Sequence, residues 1–196
     1  MTGSQLYIHS GTAFLAAAAL AAVLAIHGWL TGAARRTILS RLFGVFYAAL
    51  VISMTLLPVE IGPPGSGVEL DPHWRNSINL VPFETIQLYL ASDLGRIAWE
   101  NLLGNLLLLV PLGALGPVAW RKLDGWKRVL AAGLAISLAI EGLQLAKWFV
   151  DVLGRTRSVD IDDVILNAAG ALLGYALLRL VQPIWRRRRR RKAEAG

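Results

Sequence analysis

The chain has 196 residues, 55% of them hydrophobic, with a mean hydropathy of +0.52 and a formal charge of +7. That apolar share excludes an ordinary soluble domain of this size, and the absence of cysteine excludes a disulfide framework or a thiolate metal site. The positive charge is concentrated beside apolar segments, where it orients a chain in a membrane, so no nucleic-acid partner is expected.

In chain order, the first apolar run covers residues 11–30 and is followed by Arg35, Arg36 and Arg41. No basic residue precedes it, so it reads as a retained helix with its amino end outside rather than a secretory signal. A second run, 38–57, ends at Pro58, whose missing amide and ring disfavour continuation. The long polar stretch 59–95 opens with IGPPGSG, a turn-forming composition. It then carries NLVPFETI from Asn79, and Ile86, Tyr89, Leu90 and Leu94 fall on one helical face. Glu84 lies beside that stripe, and the spacing predicts a short helix on the outer membrane surface or dipping into it.

A third run, 97–120, has Asn101 and Asn105 four apart on one face and Pro111 in its interior. Pro111 predicts a kink and leaves a carbonyl near Leu107 in need of another donor. Arg121, Lys122, Lys127 and Arg128 mark a cytoplasmic turn. The fourth run, 129–150, places Ser137, Glu141 and Gln144 on one face. The fifth, 161–181, places Asp163, Asn167, Gly170 and Gly174 on one face, polar groups first and then a GxxxG pair for close helix contact. Beyond it come Arg186, Arg187, Arg188, Arg189, Arg190, Arg191 and Lys192, placed to hold anionic lipid at the cytoplasmic surface.

The expected fold is therefore all-α: a polytopic bundle of five transmembrane helices, amino terminus outside and carboxyl terminus cytoplasmic. A chain with no water to pair its backbone has no other way to cross in runs of this kind. Residues 1–10 form an outer segment, 11–182 one transmembrane domain, and 183–196 a basic tail.

Helical rise puts Asn105, Glu141, Gln144 and Asn167 on the order of 9–13 Å below the outer surface. Three helices thus deliver polar groups to a common outer layer, closed from above by the turn 151–163 with Arg155, Arg157, Asp160, Asp162 and Asp163. A carboxylate in hydrocarbon is costly and marks a functional site or a paired group. Glu141 can serve as an acid or proton relay, or be held in a buried pair. Arg155 or Arg157 can grip a carboxylate or phosphate with two hydrogen bonds, or lock the turn by pairing with Glu141 or Asp160. Asn101, Asn105 and Asn167 can equally fix helix packing. The histidines His9, His27 and His73 show no ligand spacing, and neither a metal nor a cofactor is expected.

The blocks NLVPFETI, NLLGNLLLLVPLGALGP, SLAIEGLQ and RTRSVDIDDVILNAAGALLGY resemble the VanZ-like integral membrane family over about residues 46–178. The family's motif positions fall here on Asn79, Pro82, Phe83, Asn101, Asn105, Pro111, Gly113, Glu141, Gln144, Arg157, Asp160, Asp162, Asp163, Asn167, Gly170 and Gly174. The resemblance implies a small multispanning protein of the bacterial cytoplasmic (inner) membrane. It also implies an association with reduced susceptibility to the glycopeptide teicoplanin, and it brings no catalytic roles.

Three function classes follow. The favoured one is a non-enzymatic envelope protein whose outward pocket, built from Asn79, Glu84, Asn101, Asn105, Glu141, Gln144, Arg155, Arg157, Asp160, Asp163 and Asn167, binds a lipid-linked or cell-wall-related anionic molecule. The second is an intramembrane enzyme transferring or hydrolysing an acyl or phosphoryl group through Glu141 or Asp160. The third is a transporter or a scaffold for partner helices.

Overall fold

The computed structural model describes residues 6–57, 59–61, 78–91, 95–147 and 159–194. Among these residues five helices are long and apolar enough to cross a membrane: Ser10–Leu30, Arg35–Thr55, Arg96–Ala119, Trp126–Lys147 and Ile161–Pro183. Large apolar side chains such as Leu15, Val23, Ile26, Trp29 and Leu30 stand exposed on the first of them. A surface of that kind is stable only where hydrocarbon, not water, surrounds it. The protein is a membrane protein with an all-helical architecture.

The chain forms two compact units, Met1–Pro82 with Leu138–Ile161, and Phe83–Ser137 with Asp162–Gly196.

The first unit contains β1 (Leu6–Ile8), α1 (Ser10–Leu30), α2 (Arg35–Thr55), β2 (Val59–Ile61) and β3 (Ile78–Asn79). It also takes residues 138–147 of α6 (Trp126–Lys147), and β4 (Val159–Asp160). Two short strand pairs, which alternation in the sequence did not announce, join its segments: β1 with β2 antiparallel, and β3 with β4 parallel in the register Ile78 to Val159 and Asn79 to Asp160. α1 and α2 form a hairpin. His9 caps α1 by accepting the Gly11 amide at Nδ1, 3.2 Å away, as a side-chain acceptor must where the first helical amides have no partner. Ala17, Ala21 and Gly28 are the buried residues of α1, spaced to share a face, and small residues on a shared face let helices approach closely. A Cβ at Gly28 would stand 2.8 Å from Ile38.

The second unit contains α3 (Glu84–Ala91), α4 (Arg96–Leu108), α5 (Val110–Ala119), residues 126–137 of α6, and α7 (Ile161–Glu194) from Asp162 onward. α4 and α5 are the two halves of one span, broken at Leu109 with φ −102° and ψ 5°. The expected kink is there. The Leu107 carbonyl, which Pro111 cannot serve, takes the Leu109 amide instead. The core is a backbone contact between α4–α5 and α7. A Cβ at Gly170 would lie 1.8 Å from the Leu106 carbonyl oxygen, one at Gly174 2.0 Å from that of Val110, and one at Gly113 1.9 Å from that of Ala171. The expected GxxxG contact is therefore made, and Gly113 answers it from the opposite helix. α7 does not stop near Val181 but continues to Glu194, through the arginine run.

Candidate functional site

Each unit holds its own network of buried polar groups. In the first, Glu141 and Asp160 are 6% and 4% exposed. Asp160 is the last residue before α7, and its backbone N–H donates to Glu141 Oε2 at 2.9 Å. This reproduces, between distant segments, half of a capping box, in which a glutamate takes the amide of the residue that precedes a helix. The Asp160 carboxylate in turn accepts the side-chain amide of Asn79 at 3.0 Å. Asn79 Oδ1 accepts the Val81 amide at 2.9 Å, the short Asx turn that starts the NLVPFETI loop. The β3–β4 pairing puts Asn79 directly opposite Asp160, so sheet register, not helix packing, sets this contact.

One turn along α6, Gln144 is 4% exposed and donates Nε2 to the Thr55 carbonyl at 3.1 Å. Thr55 ends α2, and the last carbonyls of a helix lack intrahelical donors. Gln144 supplies one from another helix. The Thr55 hydroxyl is turned back to the Val51 carbonyl at 2.7 Å, leaving the terminal carbonyl to the glutamine. Gln144 Oε1 is buried with no partner among the described residues.

In the second unit, Asp162 is 1% exposed and binds the start of α3 with both carboxylate oxygens. The Phe83 amide donates to Oδ1 at 2.5 Å and the Ile86 amide to Oδ2 at 3.0 Å. These are donors that a helix start leaves open, and an ionised acceptor makes the stronger bonds. Phe83 has φ +69°, unlike every other non-glycine residue described, a conformation bulky side chains rarely adopt. Asp163 accepts the side-chain amide of Asn105 on α4. Asn167, 1% exposed, donates Nδ2 to the hydroxyl of Ser137, itself fully buried, at 2.9 Å.

Of the expected pocket residues, the first unit thus brings together Asn79, Glu141 and Asp160 and gives Gln144 to α2. The second joins Asn105 to Asp163 and Asn167 to Ser137. Asn101 is exposed and donates to the Ile97 carbonyl of its own helix at 3.1 Å. Glu84 is exposed in the first turn of α3. Arg155 and Arg157 lie outside the described residues. Asp162 and Thr55, which the polar-pocket pattern leaves out, carry hydrogen bonds as central as any. Their partners are backbone groups, and those have no signature in a sequence. Among the described residues no group of three or more His, Asp or Glu is placed to hold a metal ion.

The VanZ/LLP1 family model matches residues 43–182, which include every residue of both networks. No curated protein and no solved structure matches the chain.

Proposed function

Because the chain belongs to the VanZ/LLP1 family of membrane proteins, we propose that it is a cell-envelope protein that holds a lipid-linked or cell-wall-related anionic molecule around Glu141. The observation that carries this reading is the burial of two carboxylates, Glu141 and Asp160, in one hydrogen-bonded set with Asn79. Apolar residues would pack such a position at no electrostatic cost, and ionisable groups within spans mark ligand or ion pathways. Arg155 and Arg157 stand between the two carboxylates in the sequence and would grip the anion through paired N–H donors.

The distribution of Lys and Arg supports an orientation with the amino terminus outside and the carboxyl terminus cytoplasmic, in the bacterial cytoplasmic membrane. In that orientation Glu141 opens outward, α3 lies at the outer surface, and the arginine run of the tail meets anionic lipid. The cellular effect expected of such a protein is a change in glycopeptide susceptibility, teicoplanin above all. Glu141→Gln and Arg157→Ala should each abolish that effect while the protein still inserts and accumulates. Normal susceptibility shifts in both variants would sink the pocket.

A second reading is favoured by the same pair of carboxylates: an intramembrane acyl- or phosphoryl-transfer enzyme with Glu141 or Asp160 as acid or base. It requires a product from labelled envelope lipids with purified wild type, and none with Glu141→Gln.

A further inference from the structure

The turn between α5 and α6, residues 120–128, reads WRKLDGWKR and holds four cations against one acid. Hydrogen bonds fix its shape. The Leu123 amide donates to the Trp120 carbonyl at 2.9 Å and the Asp124 amide to that of Arg121 at 3.1 Å, closing a 3-10 turn over Arg121–Leu123. The Gly125 carbonyl then receives the Arg128 and Val129 amides at 3.1 and 3.0 Å, where α6 begins. Within the same unit, α7 ties the turn down: Arg179 Nη2 donates to Asp124 Oδ1 at 2.6 Å. An exposed ion pair by itself is worth little, but α7 aims this guanidinium with three further bonds. Nε and Nη2 donate to the Tyr175 hydroxyl at 2.8 and 2.6 Å, and Nη1 to Gln182 Oε1 at 3.2 Å.

With Asp124 taken by Arg179, the four other charges of the turn are left uncompensated. Arg121, Lys122, Lys127 and Arg128 are all exposed, and none makes an ion pair among the described residues. Lys127 does lie over the Trp126 ring, its Nζ 5.5 Å from the centroid, and Trp126 is itself exposed, as a ring at a membrane surface is. Leu115 and Val118 stand exposed on α5 within two helical turns of Arg121, and Leu177 and Leu180 on α7 beside Arg179. We infer that this turn binds one anionic glycerophospholipid, its phosphate held among Arg121, Lys122, Lys127 and Arg128 and its acyl chains laid along α5 and α7. Arginine offers phosphate two parallel N–H donors, and lysine a point charge. Each basic residue at the end of a span adds to the attraction for anionic lipid. The Arg179–Asp124 bond turns diffuse charge into a site, because it neutralises the one acid that would repel phosphate and holds the turn against α7. An acidic protein or a nucleic acid would meet the charges but leave the flanking apolar side chains unused. The site lies at the cytoplasmic surface in the orientation proposed above, but depends neither on that orientation nor on the pocket around Glu141.

The test uses the purified full chain in phosphatidylcholine nanodiscs with increasing phosphatidylglycerol, read by melting temperature and by native mass spectrometry of the lipid retained. A ligand that binds only the folded state raises the melting temperature in a saturable way, and the expected result is such a rise with about one phosphatidylglycerol retained per chain. Arg121→Gln, Lys122→Gln, Lys127→Gln and Arg128→Gln combined should raise the half-saturating lipid fraction about tenfold or more and lose the retained lipid. Glutamine in place of all the arginines at 186–191 should leave that lipid in place. Asp124→Asn and Asp124→Ala carry the same charge, but only Asn still presents an oxygen to Arg179. The Asn variant should bind at least as tightly as the wild type, and the Ala variant about fivefold or more weaker. Attraction to a diffuse positive surface would instead strengthen both alike, and that outcome overturns the site. A wild type that melts alike at every lipid composition, a combined variant that keeps its lipid, or loss of the lipid in the tail variant alone would each do the same. An equal rise from glycerol 3-phosphate in pure phosphatidylcholine nanodiscs would put a free phosphate in the site and overturn the lipid. The combined variant removes no side-chain hydrogen bond among the described residues, so it decides the matter even where Asp124→Ala does not fold.

Discussion

The carboxylate of Asp162 and the backbone of Phe83 hold one another: the Phe83 amide lies 2.5 Å from Oδ1 while Phe83 keeps φ +69°. A non-glycine residue in that region costs on the order of 1–3 kcal/mol and persists only where its surroundings over-determine it. The Phe83 side chain is 51% exposed, so packing alone does not supply the constraint. Asp162 does, through two amides that would otherwise be open.

Asp162→Asn keeps the shape but loses the charge and one acceptor, and should cost about 1–3 kcal/mol. Phe83→Gly removes the conformational penalty and should recover part of that loss in the double variant. Thermal unfolding and hydrogen exchange at residues 83 and 86 measure both effects. If Phe83→Gly destabilises the Asp162→Asn background as much as the wild type, Phe83 is not strained and the account is wrong.

The glycines of α7 and those of α4 and α6 should behave oppositely. Gly170→Ala drives a methyl to 1.8 Å from a carbonyl oxygen, and Gly174→Ala to 2.0 Å, so both should sharply lower the yield of folded protein. Gly104→Ala and Gly142→Ala meet nothing within 4 Å. They should be neutral, or stabilising by up to about 1 kcal/mol, through helix propensity. Fluorescence-detected size-exclusion profiles and melting temperatures separate the two classes; a folded, stable Gly170→Ala protein would remove the close contact.

What was readable in the sequence follows from what a residue needs locally. Five spans are legible because length and apolarity alone set them, and the break at Leu109 because Pro111 carries its own steric rule. The face Asp163, Asn167, Gly170, Gly174 is legible because helical spacing is a local property. The partners are a different matter. Asp162 meets Phe83 across 79 positions and Glu141 meets Asp160 across 19, each through a backbone amide that any residue but proline offers. The β3–β4 pairing that aligns Asn79 with Asp160 involves two residues on each side, too few to show an alternating pattern. The extension of α7 to Glu194 was hidden because the charge run ends the span, and nothing in a charge run ends a helix.

For Glu141, the contact with the Asp160 amide separates structural from chemical roles. Glu141→Gln still presents an acceptor oxygen to that amide, 2.9 Å away in the wild type, and should unfold within about 1 kcal/mol of the wild type. Glu141→Ala leaves the amide buried and unpaired, at a cost of about 1–3 kcal/mol. Melting temperatures of the two variants in nanodiscs check this. A Gln variant as unstable as the Ala variant would mean that the negative charge, rather than the acceptor, holds Asp160, and a lost phenotype in Glu141→Gln would then report folding.

The Ser137–Asn167 contact can be weighed by a double-mutant cycle. Ser137→Ala alone leaves the Asn167 N–H without its acceptor in a fully buried position and should destabilise the protein. In an Asn167→Leu background the same substitution orphans nothing and should cost less. Hydrogen bonds between membrane helices are worth about 0.6 kcal/mol on average and up to about 1.7, and the coupling energy should fall in that interval. A coupling near zero from equilibrium unfolding in detergent would mean that the hydroxyl and the amide are each satisfied by something else, and Asn167 would lose its role as the link between α6 and α7.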